Sequence, residues 1–314
     1  MTDMNALRWA LVVQDPALLV ELEPLIEARR CVSSVLLCGS LKEALEVADC
    51  VLTVGGEAPQ SAIMTARDGR RIPVGWVGAE RDVLRIFVRA ATQLVLRQEQ
   101  DLAPGPAILL AQWDDRALLL ADEVEQACEL PLLRWTAERV IRRDVLEGLR
   151  CGAGAVLYLG HALSGGWVGY GGVTAVALAA RRMPPLGVVI TVAGDAAQCH
   201  RNRASFCDEL VMRGACAAAL GAIGKSKHET NRVLARSAAR ALGRVGTLGE
   251  LLLQLPEEVL QGYRIAGDPA APFIGAAHAL EAASEVYAPA PDRLLGAVAG
   301  ARKHWDTPAA LAQR

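Results

Sequence analysis

The stretch "VVITVAGDAAQCH", Val188 to His200, begins as a buried strand and ends as a polar loop. Val188, Val189, Ile190 and Val192 are β-branched and fit a pleated, packed surface. At Gly194 the run turns polar. Upstream, "AVLYLGHALSGGW", Ala155 to Trp167, does the same and places Gly160 and His161 just past its strand end. Loops at the carboxyl edge of a sheet are where chemistry sits in α/β folds. The two stretches together predict neighbouring strands whose tips present a histidine on one side and a glycine on the other.

Outward from these stretches the chain alternates. "AILLAQW" predicts a strand, "DRALLLADEVEQAC" a helix, "LLRWTAE" a strand and "RRDVLEGLRCG" a helix. After "AVLYLGH" come helix "VTAVALAARRM", strand "LGVVITVAG", helix "ASFCDELVMRG", strand "CAAALGAIG" and helix "ETNRVLARSAARALG". The amphipathic run "TLGELLLQLPEEVLQG" then leads to "YRIAGDPAAPF". The opening residues alternate too, from strand "LRWALVVQ" to the helix "RDVLRIFVRAATQLVLRQEQ". In that helix Val83, Ile86, Phe87, Ala90, Ala91 and Leu94 are the expected apolar stripe. Strand–helix alternation implies parallel pairing with helices on the faces. The expected architecture is α/β: two wound units with mainly parallel sheets. Residues 1–100 form a unit without a catalytic cluster, 106–275 carry the site, and 276–314 form a helical tail. The Pro- and Gly-containing "DLAPGPA", Asp101 to Ala107, marks the boundary.

The 314 residues are half apolar and only 4% aromatic, so the core is built of Leu, Val and Ala. A net charge of −2 argues against a nucleic-acid partner. No apolar run reaches the about 18 residues of a membrane span. The start "MTDMNALRWALVV" lacks the basic region of a signal peptide. Eight scattered Cys without a CxxC pair fit buried thiols in a reducing compartment, so a cytoplasmic protein is expected.

Two local motifs point elsewhere and fall short. "ALGAIGKS" follows a strand and precedes a helix, as a phosphate-binding loop does, but Ala219 stands where that loop needs Gly. Lys225 and Ser226 are then a solvated helix start, and no cofactor is expected. "CHRNRASFC" offers Cys199, His200 and Cys207, one short of a structural zinc site, and Cys207 falls on an apolar helix face. No metal is expected. His161 is different. It sits between Gly160 and the flexible "SGGWVGYGG" loop, opposite the tip at Gly194, where a histidine can act as a base near neutral pH.

The motif order is strand–GH–loop–W, a strand ending in a polar loop, F-x-x-E-L-x-x-x-G-A, strand "AAALGAIG" and closing "GDPAAPF". This order resembles the caspase-like (caspase–hemoglobinase type) cysteine peptidases, with the gingipain-type and CHAT-domain branches nearest. The resemblance covers about Pro106 to Phe273. It implies that His161 takes the histidine position and that the nucleophile position, "xxAC" in the family, falls on Gly194 in "TVAG". Backbone N–H groups at Ala162 and Gly194 would form the oxyanion site, with Ala162 replacing the family's Gly. Trp167 matches an aromatic near the substrate, and Phe206, Glu209 and Leu210 match the helix behind the nucleophile loop.

Glycine has no nucleophilic side chain. Three readings stay open: Gly194 replaces a native Cys, Cys199 has moved into the role, or the chain is a pseudoenzyme that keeps the scaffold. The leading expectation is a non-catalytic homologue that binds a protein or peptide partner in the substrate groove, as a subunit of something larger. The strand after "ALGAIG" would pair that peptide by strand addition. If the chain cleaves, Asp114, Asp115 or Asp195 near strand ends would favour a basic residue at the cleaved position; the plainer role for these acids is solvation or helix capping. The rivals are an active cysteine endopeptidase and a small-molecule or nucleotide binder.

Overall fold

The computed structural model describes residues 7–100, 106–129, 132–137, 140–180, 184–199 and 204–276. The linker at 101–105, His200 and the tail beyond 276 lie outside them.

The first half of the chain supplies β1 (Arg8–Val13), β2 (Ser34–Cys38), β3 (Cys50–Val54), β4 (Ile63–Thr65) and β5 (Arg71–Val77). Its helices are α1 (Leu19–Val32), α2 (Leu41–Val47) and α3 (Arg81–Glu99). The second half supplies β6 (Ala107–Ala111), β7 (Leu132–Thr136), β8 (Ala155–Leu159), β9 (Ala162–Leu163), β10 (Gly166–Trp167), β11 (Leu186–Val192), β12 (Cys216–Ala222) and β13 (Tyr263–Gly267). Between them run α4 (Asp115–Ala127), α5 (Arg142–Leu149), α6 (Ala175–Ala179), α7 (Phe206–Met212), α8 (His228–Ala241), α9 (Leu248–Leu253) and α10 (Glu257–Leu260). The mixed α/β, mostly parallel fold is the one the alternation predicts.

The strands of both halves form one sheet, in the order β2-β1-β3-β5-β13-β12-β11-β8-β6-β7, with β4 attached to β5. β13 makes the join. It runs antiparallel to β12 and parallel to β5, with Ile265 opposite both Leu220 and Gly75. The central strands β6, β8, β11 and β12 are buried at every position, so both faces of the sheet are covered by helices.

A buried ion pair seals the join. Arg29 on α1 donates to Asp268 (Nη2–Oδ2 2.6 Å) and to the Ala270 carbonyl at 2.8 Å. Trp9 Nε1 on β1 donates to the other Asp268 oxygen at 2.9 Å. Every carboxylate oxygen therefore has a partner, the condition under which a buried charge is tolerated. The "GDP" of the closing motif thus ties the second half to the first.

One expectation needs correction. The buried stripe of α3 is Leu84, Phe87, Val88, Ala90, Ala91, Leu94 and Val95; Phe87, Ala90, Ala91 and Leu94 are as expected, whereas Val83 is only half-buried and Ile86 faces solvent. The amphipathic run "TLGELLLQLPEEVLQG" forms two short helices, α9 and α10, divided before Pro256, which cannot donate the helical hydrogen bond. Among the described residues no disulfide links the cysteines, and Cys50, Cys151, Cys207 and Cys216 are buried. Among the described residues no helix is long and apolar enough to cross a membrane.

Candidate functional site

β8 and β11 are parallel neighbours, and Val192 pairs with Leu159. The register therefore carries the chain to His161 and Gly194 at the same level past the two strand ends. Both line one cavity of about 590 Å³ at the carboxyl edge, together with Asp114, Ala162, Asp195 and Ser226.

The His161 peptide is fixed from below. Its N–H donates to Gln112 Oε1 at 2.8 Å, and its carbonyl accepts from Tyr158 Oη at 2.8 Å and from the Val168 N–H at 2.9 Å. Gln112 is nearly buried and Tyr158 fully so. Tyr158 Oη also accepts from the Gly169 N–H at 3.1 Å, and burial raises its pKa, so it remains a donor. Gly160 makes this clamp feasible: at φ +155°, a Cβ there would lie 2.7 Å from Gln112 and 2.8 Å from the Tyr158 oxygen. The imidazole itself is exposed to the cavity.

The loop after Gly194 is held differently. The Asp195 N–H donates to the Gly224 carbonyl at 3.0 Å, and the Ala197 N–H to Ala222 at 2.8 Å. Arg264 on β13 donates to the Ala197 carbonyl (Nε–O 2.9 Å) and forks onto Asp208 (Nη1–Oδ1 2.8 Å, Nη2–Oδ2 2.5 Å). Ser205 caps α7 and donates to the same carboxylate at 2.6 Å. Arg264 and Asp208 are 3% and 1% exposed, a second fully partnered buried pair. Asp195 adopts φ 63°, a left-handed conformation that Asp tolerates better than most residues.

Gly194 is not in that left-handed region. A Cβ built on it would meet Gly224 O, Lys225 Cα and Ser226 N at 3.3 Å, tight but within reach of a shift of a few tenths of an ångström. No backbone requirement reserves this position for glycine.

The remaining sequence-predicted residues divide. Asp195 and Ala162 line the cavity, Ala162 from the β9–β10 hairpin. Asp114 lines it too, but its carboxylate caps α4, accepting from the N–H groups of Arg116 and Ala117 at 3.0 and 3.1 Å. Asp115 is the first residue of α4, in its opening turn.

Trp167 is no substrate contact. It is 1% exposed, stacked on Tyr158 at 4.7 Å, edge-on to Phe206 at 5.3 Å and donating to Thr191 Oγ1 at 3.0 Å. It packs between β8, β11 and α7 because a buried indole must bring its N–H to an acceptor.

Cys199 is not brought to His161. It does not line the cavity, and its thiol sits 3.5 Å from both Asp208 and Arg264. Burial and then the Asp208 charge push its pKa up, the wrong direction for a nucleophile. Cys207 is fully buried, and His200 lies outside the described residues.

The strand after "ALGAIG", β13, is paired on both sides and has no free edge for a peptide. The phosphate-loop pattern fails as well, since its first residues are buried strand β12 and α8 begins only at His228.

Sequence reasoning overlooked Gln112, Tyr158, Asp208 and Arg264. Three of them left a trace: Gln112 interrupts "AILLAQW", Tyr158 is the one polar tip within "AVLYL", and Arg264 is a charge inside the apolar "YRIAG". A charge in a buried strand demands a partner.

No family model matches the sequence, and no curated protein matches it. Solved structures do. The Arg-specific cysteine proteinase gingipain R superimposes with a TM-score of 0.65 at 11% identity, over 87% of this chain and 79% of that one. The complex of the pro- and mature domains of RgpB from Porphyromonas gingivalis gives 0.64 at 11% identity, over 83% and 79%. At this identity the likeness is one of fold: the chain has the caspase-like fold of a cysteine proteinase.

Proposed function

We propose that the protein is a caspase-like peptidase homologue of the gingipain or CHAT-domain branch that binds a protein or peptide segment in the cavity between the β8 and β11 tips without cleaving it. The observation that carries this reading is the pairing of His161, on a clamped backbone, with Gly194, at the same level and without a side chain. The base is present, and the atom it would activate is missing. Residues 1–100 serve as the catalytically silent partner of 106–275, and the protein works in the cytoplasm as a subunit of a larger complex.

The cavity supports a basic peptide side chain. Asp195 lines it, and unlike Asp114 its carboxylate caps no helix. Exposed Leu163 and Val168 on the hairpin side offer apolar contact to neighbouring residues of the peptide.

The test is fluorescence anisotropy with extended peptides that differ only in a central Arg, Leu or Glu. The Arg peptide should bind most tightly and emerge intact. Asp195→Asn should weaken it roughly tenfold, the worth of one partly exposed charged hydrogen bond. Saturable binding of none of the peptides, or indifference to the central residue, would overturn the reading.

A further inference from the structure

Away from the cavity, α4 and α8 enclose a groove lined by four arginines, Arg232, Arg236, Arg240 and Arg244, and two glutamates, Glu123 and Glu129. Arg232, Arg236 and Arg240 recur every four residues and form one stripe along α8, and Arg244 follows just past its end. The glutamates cover part of it. Glu123 accepts from Arg232 (Nε–Oε2 2.9 Å) and reaches Arg236 only at 3.6 Å. Glu129 pairs with Arg244. Arg240 is exposed and has no ion-pair partner among the described residues. Glu229, at the start of α8, approaches only Arg232, at 3.8 Å.

The stripe is thus an unbalanced array. It carries more guanidinium than carboxylate, and the excess lies in its middle, at Arg236 and Arg240. The pairs that flank it are partly exposed, with side-chain exposures between 31% and 61%. Such pairs contribute little to stability and exchange readily for another carboxylate. An interhelical salt-bridge ladder built only to hold α4 against α8 would place an acid opposite each arginine.

We infer that this groove docks an extended acidic segment of a partner protein, with acids at alternate positions. The spacing selects that chemistry. Residues four apart on an α-helix rise about 6.0 Å. Side chains on the same face of an extended strand repeat every roughly 6.6 Å. An alternating acidic strand laid along α8 would therefore set one carboxylate against each guanidinium in turn, with the planar fork of Arg offering paired N–H donors. A run of contiguous acids would turn every second charge away from the stripe.

The measurement is anisotropy of the full chain with a labelled peptide alternating Glu and Ser, compared with one of identical composition whose Glu residues are contiguous. Saturable binding is expected at low salt, several-fold tighter for the alternating peptide and weakening as ionic strength rises. Charge reversal at the two central positions, Arg236→Glu with Arg240→Glu, should weaken it by roughly tenfold or more. Arg240→Ala alone disturbs no ion pair and should still cost several-fold, so a misfolded double variant leaves the inference testable. An unchanged thermal midpoint confirms that the variant is folded. Absence of saturable binding, equal affinity for both peptides, or no effect of Arg240→Ala would overturn the inference. So would tighter binding of a single-stranded oligonucleotide of equal charge, which would assign the stripe to phosphate instead.

Discussion

The tips of β8 and β11 stand side by side at one sheet edge and are built on opposite plans. At β8, buried side chains grip the backbone of a residue whose own side chain is free, and the preceding glycine is required. At β11, Arg264 and the segment 222–224 hold the loop beyond the tip, while the glycine carries no side chain and is not required. Gly160 is a consequence of structure: positive φ and no room for a methyl. Gly194 is not, because its backbone is ordinary and its would-be Cβ meets only contacts at 3.3 Å. The difference separates two meanings of glycine. One serves the fold, and the other is not demanded by its backbone conformation.

The contrast can be stressed from the β11 side first. Asp208→Ala would strand the Arg264 guanidinium, unpaired and buried, beneath the loop. It should cost about 3–5 kcal/mol, read as a fall in the urea midpoint at unchanged slope. A loss of under 1 kcal/mol would mean that Arg264 does not hold the loop in place.

On the β8 side, Gly160→Ala should cost roughly 1–3 kcal/mol, through strain at positive φ and displacement of Gln112. Gln112→Ala should cost about 1–3 kcal/mol, the penalty for leaving the buried end of the His161 N–H bond unmade. Hydrogen exchange at the His161 amide should rise in Gln112→Ala even where global stability is recovered by added osmolyte. Exchange that stays slow would show that the clamp is not what fixes this backbone.

The smallest expected change is the most telling. Gly194→Ala should alter stability by less than about 1 kcal/mol, since the gain from a stiffer unfolded chain offsets a slight crowding of residues 224–226. If instead it matched Gly160→Ala in cost, the two glycines would serve the same purpose and the contrast would fail.

Much of this was legible before the coordinates. The apolar, β-branched runs ending at Leu159 and Val192 announced buried parallel strands, and the loop chemistry after them brought His161 and Gly194 together. What stayed hidden were long-range partners. β13 is five residues with a charge at its second position, and nothing local says that Arg264 finds Asp208 or that Asp268 finds Arg29. The continuity of the sheet across the two halves depends on that strand. Trp167 misled for a related reason: an aromatic after a flexible loop reads as a contact surface, but its N–H already had Thr191. Cys199 misled because five positions of loop can fold either way, and only the Asp208–Arg264 pair draws its thiol away from the cavity.

The proposed function requires that the missing side chain at position 194 be what keeps this scaffold from covalent peptidase chemistry. Gly194→Cys, treated with a labelled acyloxymethyl-ketone peptide carrying Arg at the reactive position, tests it directly. Residue 194 lines the same cavity as His161 and Ala162, so on the proposed reading the imidazole would take the thiol's proton and the backbone N–H groups of Ala162 and residue 194 would receive the developing oxyanion. The account predicts stoichiometric labelling at residue 194, faster than a free thiol at neutral pH and slowed at least tenfold by adding His161→Ala. Cys199 in the parent chain should label no faster than a free thiol, because it does not line the cavity that holds His161 and its thiol sits beside Asp208. A folded Gly194→Cys protein that labels no faster than a free thiol, or whose labelling is indifferent to His161, would contradict the account.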